Sequence, residues 1–317
     1  MLRRNLGTES RMRIDSSLYN SRGLWRITTS VTRKIGEDEL FTRSAALSYY
    51  FILSLFPLLL FLVSLVVLFS GPNSQLHQSI SSALGRLAPG TASNLVQRIT
   101  KETYTSKHDA LKVAVGIAGT FWAASGATSA IMTALNVIHK KKETRPWWKR
   151  KLIILSLTLG IAALFIFAQV LALYGGKIGS ALSPQIGLGG VFHWAWKILQ
   201  WPLSFAAMFF ALSLLYYFAP NVKQRKWRWI TPGSIAGVAL WVIASIGFRV
   251  YLDFFNRYSV TYGSLGAVII LLLWLYITGF AILIGGEVDW VIANRHRKTT
   301  DFKDRKDHTE PGMTEAA

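Results

Sequence analysis

The chain has 317 residues, 51% of them apolar and 16% charged, with no cysteine, a mean hydropathy of +0.34 and a formal charge of +19. An ordinary soluble domain carries about 25% charged residues, so this composition points to a chain threaded through a membrane. The absence of cysteine excludes thiolate nucleophiles, disulfides and Cys-based zinc or iron–sulfur sites.

Residues 1–44 read as a basic cytoplasmic tail, and the first 17 of them show no apolar period. Over 18–36, Leu24, Ile27, Val31 and Ile35 recur on one helical face, with Arg22, Arg26, Arg33 and Lys34 mostly off it. That spacing predicts a short amphipathic helix, lying on an anionic membrane surface or solvated. Glu37, Asp38 and Glu39 follow, placed to suit the positive end of the next helix. A secretory leader is not expected, because the first apolar run exceeds the core of about 7–15 residues such a leader carries.

An α-helix needs roughly 20 apolar residues to cross a bilayer. Six runs meet that length, at about 45–70, 111–138, 152–174, 198–218, 230–251 and 263–289. An all-α polytopic protein is therefore predicted, with a transmembrane domain over 45–291 and a charged, disordered tail over 292–317. In the first run, Pro57 removes a backbone hydrogen bond and predicts a kink, which reads either as the broken helix of a transport path or as a bend that only fits its neighbours. Residues 73–110 form a polar connection with two short amphipathic stretches split by Pro89-Gly90. In the second run Gly119, Ala123 and Ala127 repeat every four residues, a small-residue stripe that lets another helix come close. A basic turn with Trp147 and Trp148 follows, and a Gly-rich connection over 175–191 precedes Trp194, Trp196 and Trp201. The tryptophans sit where interfacial belts are expected. In the fifth run Pro232 suits a first helical turn, and Gly233 and Gly237 give a second close-packing signal. Gly263 and Gly266 open the sixth.

The basic residues sort by side. Of the 35 lysines and arginines, 26 fall in the first tail, in the turns after runs two and four, and in the last tail, which leaves nine for the alternate side. This asymmetry predicts both termini in the cytoplasm. It also gives the excess charge a partner in anionic lipid headgroups, where each basic residue is worth about 1 kcal/mol. A nucleic-acid partner is not expected, because the charge is divided among four short pieces instead of lying on one folded face.

Several stretches resemble the YihY/BrkB family of bacterial inner-membrane proteins, once labelled ribonuclease BN. They are AALSYYFILSLFPLL (45–59), SAIMTALNVIH (129–139), the pair Arg145-Pro146, YYFAPN (216–221), PGSIAGVALW (232–241), YGSLGAVIILLLWLY (262–276) and the later GGE (285–287). The resemblance spans about residues 38–295 in order. It implies a six-helix inner-membrane protein, brings no agreed catalytic residues, and implies transport of a lipid or another amphiphile.

Few residues carry chemistry. The six histidines form no local metal-ligand pair, and no cofactor, metal site or enzymatic activity is expected. Glu287 and Asp289, two apart on a helix, point about 200° away from each other and do not make a carboxylate pair. Glu287 reads either as an interfacial acid paired with a Lys or Arg, or as a group facing a cytoplasmic vestibule. Arg249 and Asp253, four apart near the outer end of run five, read as a structural ion pair or as an outer gate. Asn136, Asn221 and Tyr262 are candidates for bonds between helices. Runs two, three, four and six carry no charge near their middles. That argues against a carrier of small ions. It suits either an amphiphile path, with apolar walls and polar entrances, or a non-catalytic scaffold that holds partner proteins or a second copy.

Overall fold

A computed structural model describes residues 21–70, 110–186, 189–222, 227–254 and 258–309 of the chain. The described residues are all-α: α1 (Ser21–Glu37), α2 (Leu40–Ser70), α3 (Ala110–Ala124), α4 (Gly126–Ile138), α5 (Trp147–Ile186), α6 (Gly189–Phe218), α7 (Pro232–Phe254) and α8 (Tyr258–Thr309). Five stretches are long and apolar enough to cross a membrane: Ala118–Ile138, Trp147–Leu171, Trp194–Phe218, Pro232–Asp253 and Gly266–Arg295. Their outer faces carry Leu152, Phe165, Ile243 and Ile246, each more than half exposed. Apolar surface on that scale belongs in lipid. The connection expected over 73–110 lies almost wholly outside the described residues.

Three boundaries differ from expectation. The second run is broken at Ser125 into α3 and α4. There the Ser125 Oγ donates to Trp122 O at 2.6 Å, and Gly126 follows with its low helix preference. The break leaves the Ala127 N–H to be satisfied from another helix, and it donates to Ser54 Oγ of α2 at 2.9 Å. A neighbour's hydroxyl is what makes such a break tolerable at membrane depth. Second, the stretch 175–186 is helical and not a connection. Its glycines each cost about 1 kcal/mol relative to alanine, and the stretch nevertheless continues α5, which packs against α6. Third, α8 does not stop near Val291 but continues to Thr309 as a 52-residue helix, about 78 Å long. No Gly or Pro interrupts 287–310, Asp301 and Arg305 stand four apart, and the helix ends two residues before Pro311.

The buried core lies toward one end of the bundle. Leu40, Leu47, Met132, Leu135, Ile138, Leu215, Tyr216 and Leu283 are almost wholly inaccessible there, around α4. α1 packs against α8 and α2. It turns Val31 inward as the amphipathic pattern required, together with Lys34, which the pattern had placed outside.

Candidate functional site

That end also gathers the buried charged side chains of the described residues, Lys34, Asp38, Glu287 and Asp289. Lys34 on α1 is the centre of one group. Its Nζ lies 2.6 Å from Asp38 Oδ2, 3.5 Å from Glu287 Oε2 and 3.9 Å from the centroid of the Trp290 ring. The three ionisable side chains are 5%, 9% and 0% exposed. One ammonium thus bridges two carboxylates, Asp38 in the turn between α1 and α2 and Glu287 on α8. Neither oxygen of Glu287 has a hydrogen-bond partner among the described residues, so Lys34 is its main compensation. Asp38 does not serve the start of α2 as expected. It reaches back one turn to Lys34, while its own carbonyl accepts from Arg43 Nε at 2.8 Å. The neighbouring pair Arg33–Glu37, also four apart, stays in solvent.

Asp289 faces the other way from Glu287, as its spacing dictates. Its Oδ1 accepts from Gly233 N at 2.8 Å, at the first turn of α7. A carboxylate at that terminus meets the helix's positive end. Thr231 and Ser234 close the same turn reciprocally, each hydroxyl accepting from the other's backbone N–H at 3.0 Å. Such a cap and an acid both suit a helix that begins at Pro232.

Glycine sets how closely α7 and α8 approach. A Cβ on Gly233 would run into the Gly285 carbonyl and lie 2.6 Å from Asp289 Cγ. One on Gly285 would meet the Tyr216 hydroxyl and lie 2.6 Å from the Gly233 carbonyl. One turn along, a Cβ on Gly237 would sit 3.1 Å from Tyr216 Oη and 3.3 Å from Ala281 O. Tyr216, fully buried on α6, donates to Ile282 O at 2.7 Å beside this crossing. Farther on, Trp241 Nε1 donates to Thr278 Oγ1 at 3.2 Å. The pairs 233–285, 237–281 and 241–278 run in opposite directions, so α7 and α8 are antiparallel.

A second node ties two turns together. Asn221 N donates to Asn136 Oδ1 at 2.7 Å, and Asn136 Nδ2 donates to Glu143 Oε2 at 3.0 Å. Arg145 donates to Phe218 O and Ala219 O, and Glu143 accepts from Arg145 N at 3.1 Å. The sequence pointed to Asn136 and Asn221 as bonding across helices, but gave no sign that Glu143 and Arg145 complete the node. Beside it, His139 caps α4 with its backbone N–H on Leu135 O at 3.0 Å. Among the described residues no group of three His, Asp or Glu side chains is arranged to hold a metal ion.

The third feature is a cleft of about 390 Å³ between α2, α4 and the start of α5. Arg43, Tyr50, Ser129, Thr133 and Arg150 give it polar edges, and Ala46, Leu47, Ala130 and Ala134 give it apolar walls.

The other expected residues fall elsewhere. Pro57 is partly buried within α2, which is continuous through it. Gly119 and Ala123 are exposed, and a Cβ on Gly119 would meet nothing within 4 Å among the described residues. Ala127, next to the break, is the member of that stripe that touches another helix, through its N–H on Ser54. Gly266 is buried, and the surroundings of Gly263 and Tyr262 lie outside the described residues. Arg249 and Asp253 form no ion pair among the described residues, and both are exposed. The order Arg before Asp is the weaker one on a helix, and exposed pairs gain little. They sit at the far end of α7, about 24 and 30 Å from Gly233 along the helix. Glu287 does not face a vestibule: it is closed off and paired with Lys34.

Apolar helices of membrane length, latched at one end by buried ion pairs and glycine contacts, define a polytopic all-α membrane protein. A family model described as Virulence factor BrkB matches residues 31–309, and the chain belongs to that family. A Bacillus subtilis protein named YfkH, described there as ribonuclease-like, is 32% identical over 81% of this chain and 91% of its own length. A protein of Aliivibrio salmonicida named as a UPF0761 membrane protein is 28% identical over 94% of this chain and 96% of its own. Another of that name, from Ralstonia nicotianae, is 27% identical over 81% of this chain and 56% of its own. No solved structure matches. All three relatives are bacterial and two of them are named as membrane proteins, which with the apolar helices makes this chain a bacterial membrane protein.

Proposed function

We propose that the chain is a six-span protein of the inner membrane, with both termini cytoplasmic, that moves or otherwise handles a lipid or another amphiphile of the cell envelope. The sixth span is α2, whose 31 residues exceed the roughly 20 needed to cross. Orientation rests on the 26 of 35 basic residues that one set of alternate segments holds.

One observation carries the amphiphile reading. The middles of the spans are uncharged, while a cleft with two arginines and three hydroxyl groups opens at the latched end. A small-ion carrier places acids or histidines near the midplane. An amphiphile needs the reverse, a polar place for its head and apolar helix faces for its tail. Pro57 belongs to this proposal as the point where α2 gives up one backbone bond beside the lipid.

The test is lipid movement in liposomes. Protein reconstituted with a headgroup-labelled phospholipid is expected to make inner-leaflet label reachable by an external quencher faster than protein-free liposomes do. A rate equal to that of protein-free liposomes, with the protein shown to be folded, would remove the reading and leave the non-catalytic scaffold.

A further inference from the structure

We infer that the cleft between Arg43 and Arg150 is a binding site for the phosphate of an anionic phospholipid headgroup. This rests on the amphiphile reading above and names its ligand class.

The argument begins with unmatched charge. Neither guanidinium has a carboxylate within ion-pair distance among the described residues, and no acid lines the cleft. Arg43 lines the cleft, its Nε donating to the Asp38 carbonyl at 2.8 Å. Among the described residues the Arg150 side chain makes only long contacts, from one terminal nitrogen to Thr133 Oγ1 at 3.3 Å and Ser129 Oγ at 3.5 Å. Its Nε is buried with no hydrogen-bond partner among the described residues. A guanidinium carries five donors in a planar fork, a shape that matches a phosphate bidentately. A buried donor left unused is costly, so a site built this way is completed by an acceptor-rich anion.

The surroundings select a lipid over a soluble anion. About 390 Å³ lies within the range of small-molecule sites, roughly 300–1,000 Å³. The apolar walls Leu47 and Ala134 would be wasted on bare phosphate. Beside the cleft, α2 presents Tyr50 and Leu53, about half exposed, along a helix of membrane length. A headgroup held by the two arginines would lay its acyl chains on that face. Both arginines also stand near the ends of their helices, Arg43 three residues into α2 and Arg150 three residues into α5, and the ends of a spanning helix are where headgroups lie.

The experiment is native mass spectrometry of the full chain released from detergent with equal amounts of phosphatidylglycerol and phosphatidylcholine. Wild type is expected to retain phosphatidylglycerol about tenfold over phosphatidylcholine, the size of one charge-assisted contact. R43Q/R150Q brings that ratio to about one, and R150Q alone lowers it if the double variant does not accumulate. R249Q, exposed at the far end of α7, leaves it unchanged. A wild-type ratio near one, or a ratio unmoved by R150Q, overturns the assignment. Inorganic phosphate in equal concentration is the second arm. Failure to displace the lipid supports the headgroup, and full displacement overturns it in favour of a free-phosphate site. Selective retention without lipid movement in liposomes would sink the proposed function and keep this site. Movement without selectivity would do the opposite.

Discussion

Replacing Lys34 by methionine tests the latch. The stem of the side chain is kept and the ammonium is lost. Asp38 and Glu287, 9% and 0% exposed, then remain in the same pocket with no opposing charge in ion-pair reach among the described residues. Removing one partner of a buried pair costs about 3–5 kcal/mol, because the charge left behind is uncompensated. The preceding residue supplies the control. Arg33 makes the same i,i+4 contact to Glu37, but those side chains are 75% and 47% exposed, where a pair is worth about 0.2–1 kcal/mol. Unfolding of the purified protein by SDS in mixed micelles gives both values on one scale. K34M is expected to lose several times more stability than R33M. Adding E287Q to K34M restores part of the loss, since one stranded carboxylate is gone, and K34M, E287Q and the double variant together isolate the coupling. A K34M value within about 1 kcal/mol of R33M would refute the reasoning.

Other outcomes follow from the same contacts. G233A and G285A force a Cβ onto the facing backbone carbonyl and should sharply reduce folded protein in membranes, whereas G160A and G247A, whose added Cβ meets nothing within 4 Å, should be neutral or stabilising by up to about 1 kcal/mol; equal levels of all four would contradict the packing. S54A removes the acceptor for Ala127 N–H, and a loss of about 1–3 kcal/mol in the micelle assay is expected, against none if water replaces it. N136A strips acceptors and donors from Asn221 and Glu143. A similar loss should accompany faster proteolysis in the 139–146 turn, and an unchanged cleavage rate would show that the node does not hold that turn.

Much of the fold could be read from residue patterns because lipid imposes simple rules. Apolar runs of spanning length showed where helices lie, and the Gly233–Gly237 spacing matched a real approach of α8. What could not be read were contacts between distant segments. The stripe Gly119–Ala123 looks like the Gly233 stripe in one dimension, yet it faces outward, because spacing reveals a face and not its neighbour. Lys34 was placed on the polar side of α1, since nothing local shows that Glu287, some 250 residues later in the chain, comes to meet it. The arginine cleft was missed for a similar reason: Arg43 and Arg150 were counted among the charges that orient the chain, and only folding shows that they share one space. The break at Ser125 had a weak signal in its Ser-Gly pair, masked by the apolar residues on either side.

The most direct test of the account uses the chain's lack of cysteine, which makes any introduced thiol unique. K141C, in the exposed turn between α4 and α5, and D253C, at the exposed far end of α7, are treated in whole cells with a maleimide that cannot cross the inner membrane. The account predicts that D253C reacts in intact cells and K141C only after lysis. Labelling of K141C in intact cells, or of both sites alike, would contradict it.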